Sequence, residues 1–173
     1  MTVMDYLTEK GCSFRVTEHA PTFTAEQLAE AEHVRPRNVA KPVVVRTERG
    51  GYYLCVLPAD RKISLYALEQ LLEQGTVQLA TEEELRCLFD DAQLGAEPPL
   101  GELYHLPTLM DRTLAKDKEI VFQAGTHEKA VWMSMADYKR LVNPRVLKFS
   151  YPAALDEIES MPLDPFFYDP FML

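Results

Sequence analysis

The stretch that most limits how this chain can fold is residues 39–47, Val-Ala-Lys-Pro-Val-Val-Val-Arg-Thr. Val43, Val44 and Val45 are consecutive and β-branched, which favours extended backbone. Side chains of a strand alternate between its two faces, so three apolar residues in a row ask for apolar cover on both. A strand of this kind belongs inside a layered domain. Gly50-Gly51 then marks a hairpin turn, and residues 52–57 return as the antiparallel partner.

Around this hairpin the chain alternates helix and strand signals. Val3, Tyr6 and Leu7 have helical spacing over residues 2–10, closed by Gly11. Residues 14–17 alternate apolar and polar as a strand, and 19–23 form a loop. Thr24 caps the next helix, with Gln27 completing a capping box and Leu28, Ala29 and Ala31 toward a core. Ser64 caps a helix over Leu65, Leu68, Leu71 and Leu72 that Gly75 closes. A short strand at 77–80 precedes a second capping box, Thr81 with Glu84. Residues 104–110 read as extended, ending in Asp111. A strand at 119–123, a turn at 124–127 and a partner at 130–133 make a second hairpin. Ser134 with Asp137 opens a helix over Tyr138 and Leu141, Asn143-Pro144 stops it, and 146–149 is a last strand. Hairpins interrupted by helices predict an α+β fold: a single compact domain with a central mixed, largely antiparallel sheet flanked by helices.

That domain covers residues 1–150, and 151–173 is an acidic, aromatic extension with Phe166, Phe167, Tyr168 and Phe171. Burying so many large apolar groups is favourable, so the extension is expected to fold back onto the domain or to dock on a partner. It carries −5 of the net charge of −9. That balance argues against wide, non-specific nucleic-acid binding. The segment 35–62 reverses the sign, with seven Lys or Arg against two acidic residues, so a polyanion can be met locally. No apolar run is long enough to span a bilayer, and residues 1–10 lack a basic-then-apolar signal pattern, so a cytoplasmic protein is expected. Cys12, Cys55 and Cys87 have neither disulfide nor zinc spacing.

The chemistry is read from a few positions. No Walker loop, nucleophile elbow, dinucleotide fingerprint or zinc-protease helix is present. His19, His33, His105 and His127 have no metal-ligand spacing, and no metal or cofactor is expected. Two of the chain's seven glycines flank one loop, Gly95-Ala96-Glu97-Pro98-Pro99-Leu100-Gly101. Glycine lets backbone approach a ligand and proline stiffens the approach. Such a loop can aim main-chain N–H groups at a developing oxyanion; it also describes an ordinary tight turn. Lys41 heads an apolar strand, as a cleft ammonium does and as an edge-guarding lysine does. His127 follows Gly125-Thr126 in a hairpin turn, where a solvated histidine is equally at home.

In this order, the pieces resemble the YbaK/ProX aminoacyl-tRNA deacylases, relatives of the editing domain inserted in bacterial prolyl-tRNA synthetase. The matching pieces are His19-Ala-Pro-Thr22-Phe-Thr, Lys41 within Val-Ala-Lys-Pro-Val-Val-Val, Gly95-x-x-x-Pro99-x-Gly101, and Gly125-Thr126-His127 with Met133-Ser134. The resemblance implies hydrolysis of the ester of a mischarged small amino acid on tRNA, tRNA(Pro) first among them, without a metal. It implies catalytic parts for Lys41, Gly95, Gly101 and His127: Lys41 meets the terminal nucleotide, the Gly/Pro loop holds the ester, and His127 lies by the amino-acid pocket. It implies substrate contacts at His19, Thr22, Pro98, Pro99, Leu100, Gly125 and Thr126. The implied partner is the acceptor end of an aminoacyl-tRNA, with a tRNA synthetase as a possible deliverer; the oligomeric state stays open.

Two other readings stay open. The acidic balance and adhesive extension fit a non-catalytic module of the same fold that binds tRNA ends, a nucleotide or a protein. A hydrolase of another small ester or amide, using Cys or His, is the third.

Overall fold

A computed structural model describes residues 1–154. The aromatic extension from residue 155 onward lies outside the described residues. Helix α1 (Val3–Glu9), strand β1 (Phe14–Glu18) and helix α2 (Ala25–Ala31) lead into β2 (Ala40–Thr47), β3 (Tyr52–Pro58) and β4 (Arg61–Ile63). Next come α3 (Leu65–Leu72), β5 (Val77–Leu79), α4 (Glu82–Leu88) and a 3₁₀ turn, Gly101–Tyr104. Strand β6 (Thr108–Asp111), α5 (Arg112–Ala115), β7 (Glu119–Gln123), β8 (Lys129–Ser134), α6 (Met135–Val142), β9 (Arg145–Leu147) and β10 (Ser150–Pro152) follow.

The expected α+β class holds, with the strands of the described residues in three sheets. The largest has five strands in the order β5-β2-β3-β6-β9. Its β5–β2 and β2–β3 pairs are antiparallel, and β3–β6 and β6–β9 are parallel. A three-stranded antiparallel sheet, β1-β8-β7, is tied to it by a parallel bridge between Val39 and Val121. β4 and β10 form a two-stranded ribbon.

The valine run behaves as its chemistry requires. Ala40 and Val44, with Leu54, Val56 and Met110, enter the main core shared with β7, β8, α1 and α6. Val43 and Val45, with Cys55, Leu57 and Leu109, face the opposite layer, built from α3 residues Leu68, Leu71 and Leu72 and from Phe149. Each fully buried Val or Leu is worth roughly 1.5–3 kcal/mol, so cover on both faces fixes β2 at the centre of the domain. A third cluster packs Leu28 and Ala29 of α2 on Val39, Val121 and Ala130.

Several expectations need correction. Thr24 does cap α2, but Gln27 does not close the box: its Oε1 accepts from Phe23 N at 2.8 Å and so holds the preceding loop. Residue 104 lies in a 3₁₀ turn, and only Thr108–Asp111 is strand. The strand expected at 146–149 as the last one is β9, which ends at Leu147 where Phe149 N turns to donate to the Asp111 carboxylate at 3.0 Å, and β10 follows it. Helix α3 stops at Glu73, itself left-handed at φ 53°, two residues before Gly75. Tyr151 and Pro152 pair with Lys62 and Arg61 in the β4–β10 ribbon.

Candidate active site

Three loops meet where the large and small sheets join, and hydrogen bonds zip them together. His19 N donates to Glu128 O at 2.9 Å, and Thr22 N to His127 O at 2.9 Å. Gln93 N donates to Gly125 O at 2.8 Å, and Gly125 N to Ala96 O at 3.0 Å. The Gln93 side chain adds a bond from His127 N at 2.9 Å. The loops 19–24, 93–97 and 125–128 therefore form one unit.

Beside this junction is a cavity of about 310 Å³. Lys41 with its neighbours Ala40 and Pro42, Gly95 with Glu97, Phe23, Glu26 and Gln123 line it. The Val39–Val121 bridge explains the meeting, since it sets the start of β2 beside β7, which ends in Gln123. Larger surface cavities of about 400 Å³ beside Arg46 and Gln78, and about 500 Å³ beside His105 and Arg145, contain none of the expected site residues.

Lys41 is half-buried, and its Nζ donates to Arg61 O at 2.5 Å. Burial pushes its pKa down from the ordinary lysine value, while Glu26 nearby works to keep the proton on. The ammonium thus stands in a poorly solvated place beside the cavity, where a phosphate oxygen is a stronger partner than in water.

Gly95 has φ +88°, a backbone that an L side chain rarely adopts. A Cβ there would lie 3.4 Å from His127 Cε1 and 3.7 Å from Phe23 O. The His127 ring packs on Phe23 with centroids 4.7 Å apart. Its Nδ1 is 2.8 Å from Thr22 O. A carbonyl oxygen only accepts, so Nδ1 carries a proton, and the nitrogen that can serve as an acceptor is Nε2. His19 Nδ1 makes the same kind of bond to Ala20 O at 2.7 Å, and its Nε2 is buried without a partner.

The other half of the Gly/Pro loop lies elsewhere. Pro98, Pro99, Leu100 and Gly101 are buried, and none lines the cavity. Pro99 O accepts from the buried Tyr138 hydroxyl at 2.6 Å. A Cβ on Gly101 would come within 2.1 Å of Thr108 Oγ1 and 2.4 Å of Leu106 O. This glycine serves close packing and does not present an amide to the cavity. Thr22 is buried and reaches the site through Gln123, whose Nε2 is 3.4 Å from both Thr22 O and Thr22 Oγ1. Gly125 and Thr126 form the turn behind His127, and Thr126 Oγ1 is buried without a partner. Glu26 and Gln123 are cavity residues for which sequence reasoning assigned no role, and Glu97 and Phe23 entered it only as members of their loops. Among the described residues, no group of three or more His, Cys, Asp or Glu is placed to hold a metal ion, and no helix is long and apolar enough to cross a membrane.

Residues 19–141 match the model of the aminoacyl-tRNA editing domain. The chain belongs to that family. The editing-domain match takes in all three loops of the junction. Among its relatives is the multifunctional Ser/Thr-tRNA deacylase ProXp-y of Escherichia coli, 28% identical over 151 residues, covering 83% of this chain and 87% of that protein. The prolyl-tRNA editing protein ProX of Acetoanaerobium sticklandii is 23% identical over 145 residues, covering 81% and 88%. Among solved structures, a candidate trans-editing enzyme for prolyl tRNA synthetase superposes with a TM-score of 0.77 at 25% identity, covering 86% of this chain and 94% of that one.

Proposed function

We propose that this protein is an aminoacyl-tRNA deacylase that hydrolyses the ester of a mischarged small amino acid in trans. The observation that carries the reading is one cavity, in a chain of the editing-domain family, walled by both Lys41 and Gly95 with the His127 ring beside it. The names of the relatives agree, one being a Ser/Thr-tRNA deacylase and another a prolyl-tRNA editing protein.

An aminoacyl ester is already activated, so positioning and modest charge stabilisation suffice. Water adds to the ester carbonyl, the tetrahedral intermediate expels the ribose oxygen, and that oxygen takes up the proton the water releases. Free amino acid and a tRNA 3′ end remain. In this reading Lys41 anchors a terminal phosphate, and Gly95 N–H receives the oxyanion. His127 Nε2 accepts from the attacking water or a ribose hydroxyl. Discrimination among small amino acids comes from cavity volume, where one methylene is worth about 1–3 kcal/mol. In this reading residues 1–150 are the deacylase domain that carries the site. Cytoplasmic work alongside a tRNA synthetase belongs to the same reading.

The test is a deacylation panel: tRNA(Pro) charged with Ala, Ser, Thr, Cys or 2-aminobutyrate, together with seryl- and threonyl-charged cognate tRNAs. At least one ester is expected to turn over, and Lys41→Ala to lose about 100-fold or more in kcat/KM with unchanged thermal unfolding, as for loss of a charge-assisted contact in a desolvated site. A folded protein that cleaves none of them contradicts the reading, and an unimpaired Lys41→Ala removes the role given to the lysine.

A further inference from the structure

Gly95 N–H, the donor assigned to the oxyanion, already has a partner. Both carboxylate oxygens of Glu97 lie 3.0 Å from it. Glu97 lines the same cavity, so an anionic oxygen of the protein sits where an ester oxyanion would need to be. The loop thereby shows an affinity for negatively charged oxygen, and a substrate has to displace the one it holds.

The displaced carboxylate needs a new partner, and an aminoacyl ester brings one. Its α-ammonium is one carbon away from the reacting carbonyl, so the two arrive together. A second acceptor is close by. Gln123 is only 7% exposed and lines the same cavity. Its Nε2 makes two long contacts of 3.4 Å, and its Oε1 has no hydrogen-bond partner. An ammonium has three donors and no acceptor, the complement of a carboxylate plus an unpaired amide oxygen. Both signs line the cavity: Lys41, with Glu26 near it, suits the phosphate of the terminal nucleotide, and Glu97 suits the cationic end of the amino acid.

We infer that Glu97 is the receptor for the α-ammonium of the aminoacyl group, with Gln123 Oε1 as second acceptor, and that Gly95 N–H passes from Glu97 to the ester oxygen as substrate enters. This rests on the deacylase reading. An uncharged tRNA end carries no ammonium and leaves Glu97 on Gly95, so the site responds to charged ends and ignores uncharged ones.

The experiment compares an aminoacyl ester with its α-hydroxyacyl counterpart on the same tRNA. Alanyl against lactyl and seryl against glyceryl each swap the ammonium for a hydroxyl at nearly equal volume. Rates are divided by the spontaneous hydrolysis of each ester. Wild type is expected to prefer the aminoacyl ester by about 10- to 100-fold in kcat/KM, the worth of a hydrogen bond to a charged group. Glu97→Gln is expected to lose most of that preference, mainly through KM for the aminoacyl ester, with the hydroxyacyl rate undiminished. A folding defect lowers both rates together and so gives a different signature. Equal normalised rates for the two esters in wild type, or an unchanged ratio in Glu97→Gln, overturn the assignment while the deacylase reading stands. Turnover of neither ester overturns both.

Discussion

The two glycines that bracket the Gly/Pro loop are predicted to fail in opposite ways when replaced by alanine. At Gly95 the obstacle is conformation. With φ +88°, a side chain costs about 1–2 kcal/mol. Space is less of a problem, because the new Cβ meets His127 Cε1 at 3.4 Å and Phe23 O at 3.7 Å. For a domain of this size that cost lowers Tm by roughly 2–8 °C. Activity should fall much further, about 100-fold or more, because the strained loop turns the Gly95 N–H and the added methyl presses on the histidine. At Gly101 the obstacle is space. The Cβ would sit 2.4 Å from Leu106 O, which is backbone, and 2.1 Å from the Thr108 hydroxyl. Overpacking of a buried site costs about 1–3 kcal/mol or more, so Gly101→Ala should unfold earlier or express poorly, and whatever folds should keep wild-type kcat/KM per active molecule. The assay is thermal unfolding by circular dichroism beside deacylation corrected for the folded fraction. A fully active Gly95→Ala, or a Gly101→Ala as stable as wild type but inactive, refutes the division of labour.

Three further outcomes follow from particular groups. Tyr138→Phe leaves the buried Pro99 carbonyl without its donor and should cost about 1–3 kcal/mol, read by urea denaturation. Asp111 is buried, which by itself raises its pKa, but hydrogen bonds from Thr113, Phe149 and Ser150 outweigh burial and hold the carboxyl below its usual range. A depressed pKa in the folded state adds stability at neutral pH that is lost as pH falls below about 4; Asp111→Asn should therefore be less stable at pH 7 and show a shallower acid limb. Cys55 is fully buried, and burial pushes its thiol up, while Cys87 is exposed. Iodoacetamide should modify Cys87 first and spare the deacylation rate, and loss of activity in step with alkylation would revive a cysteine mechanism.

What the sequence made legible was the local chemistry that needs only neighbours. The valine run fixed β2, the Thr81–Glu84 box formed with both bonds, and Ser64 and Ser134 cap their helices as their side chains suggest. What stayed hidden depends on distant partners. β4 is Arg-Lys-Ile and shows no apolar alternation; it is a strand because β10 pairs with it. Asp111 looked like the end of an extended run and is instead the N-cap of α5 and the acceptor for Phe149 N. At the site, Lys41, Gly95 and His127 stood out by residue type and converge. Pro98 to Gly101 looked like the rest of a ligand loop, but residue type alone does not say which half of a stiff loop faces the core. Glu97 and Gln123 looked like ordinary loop and strand polar residues until the Val39–Val121 bridge set β2 beside β7.

The most direct measurement is a crystal structure with a hydrolysis-resistant mimic of the charged tRNA end, an adenosine carrying a 3′-amide-linked alanine or serine. The account predicts that it lies in the cavity between Lys41 and Gly95, with its carbonyl oxygen on Gly95 N–H and its ammonium on Glu97. A mimic seated in the cavity beside Arg46 and Gln78, or one bound with Glu97 still on Gly95, would contradict it.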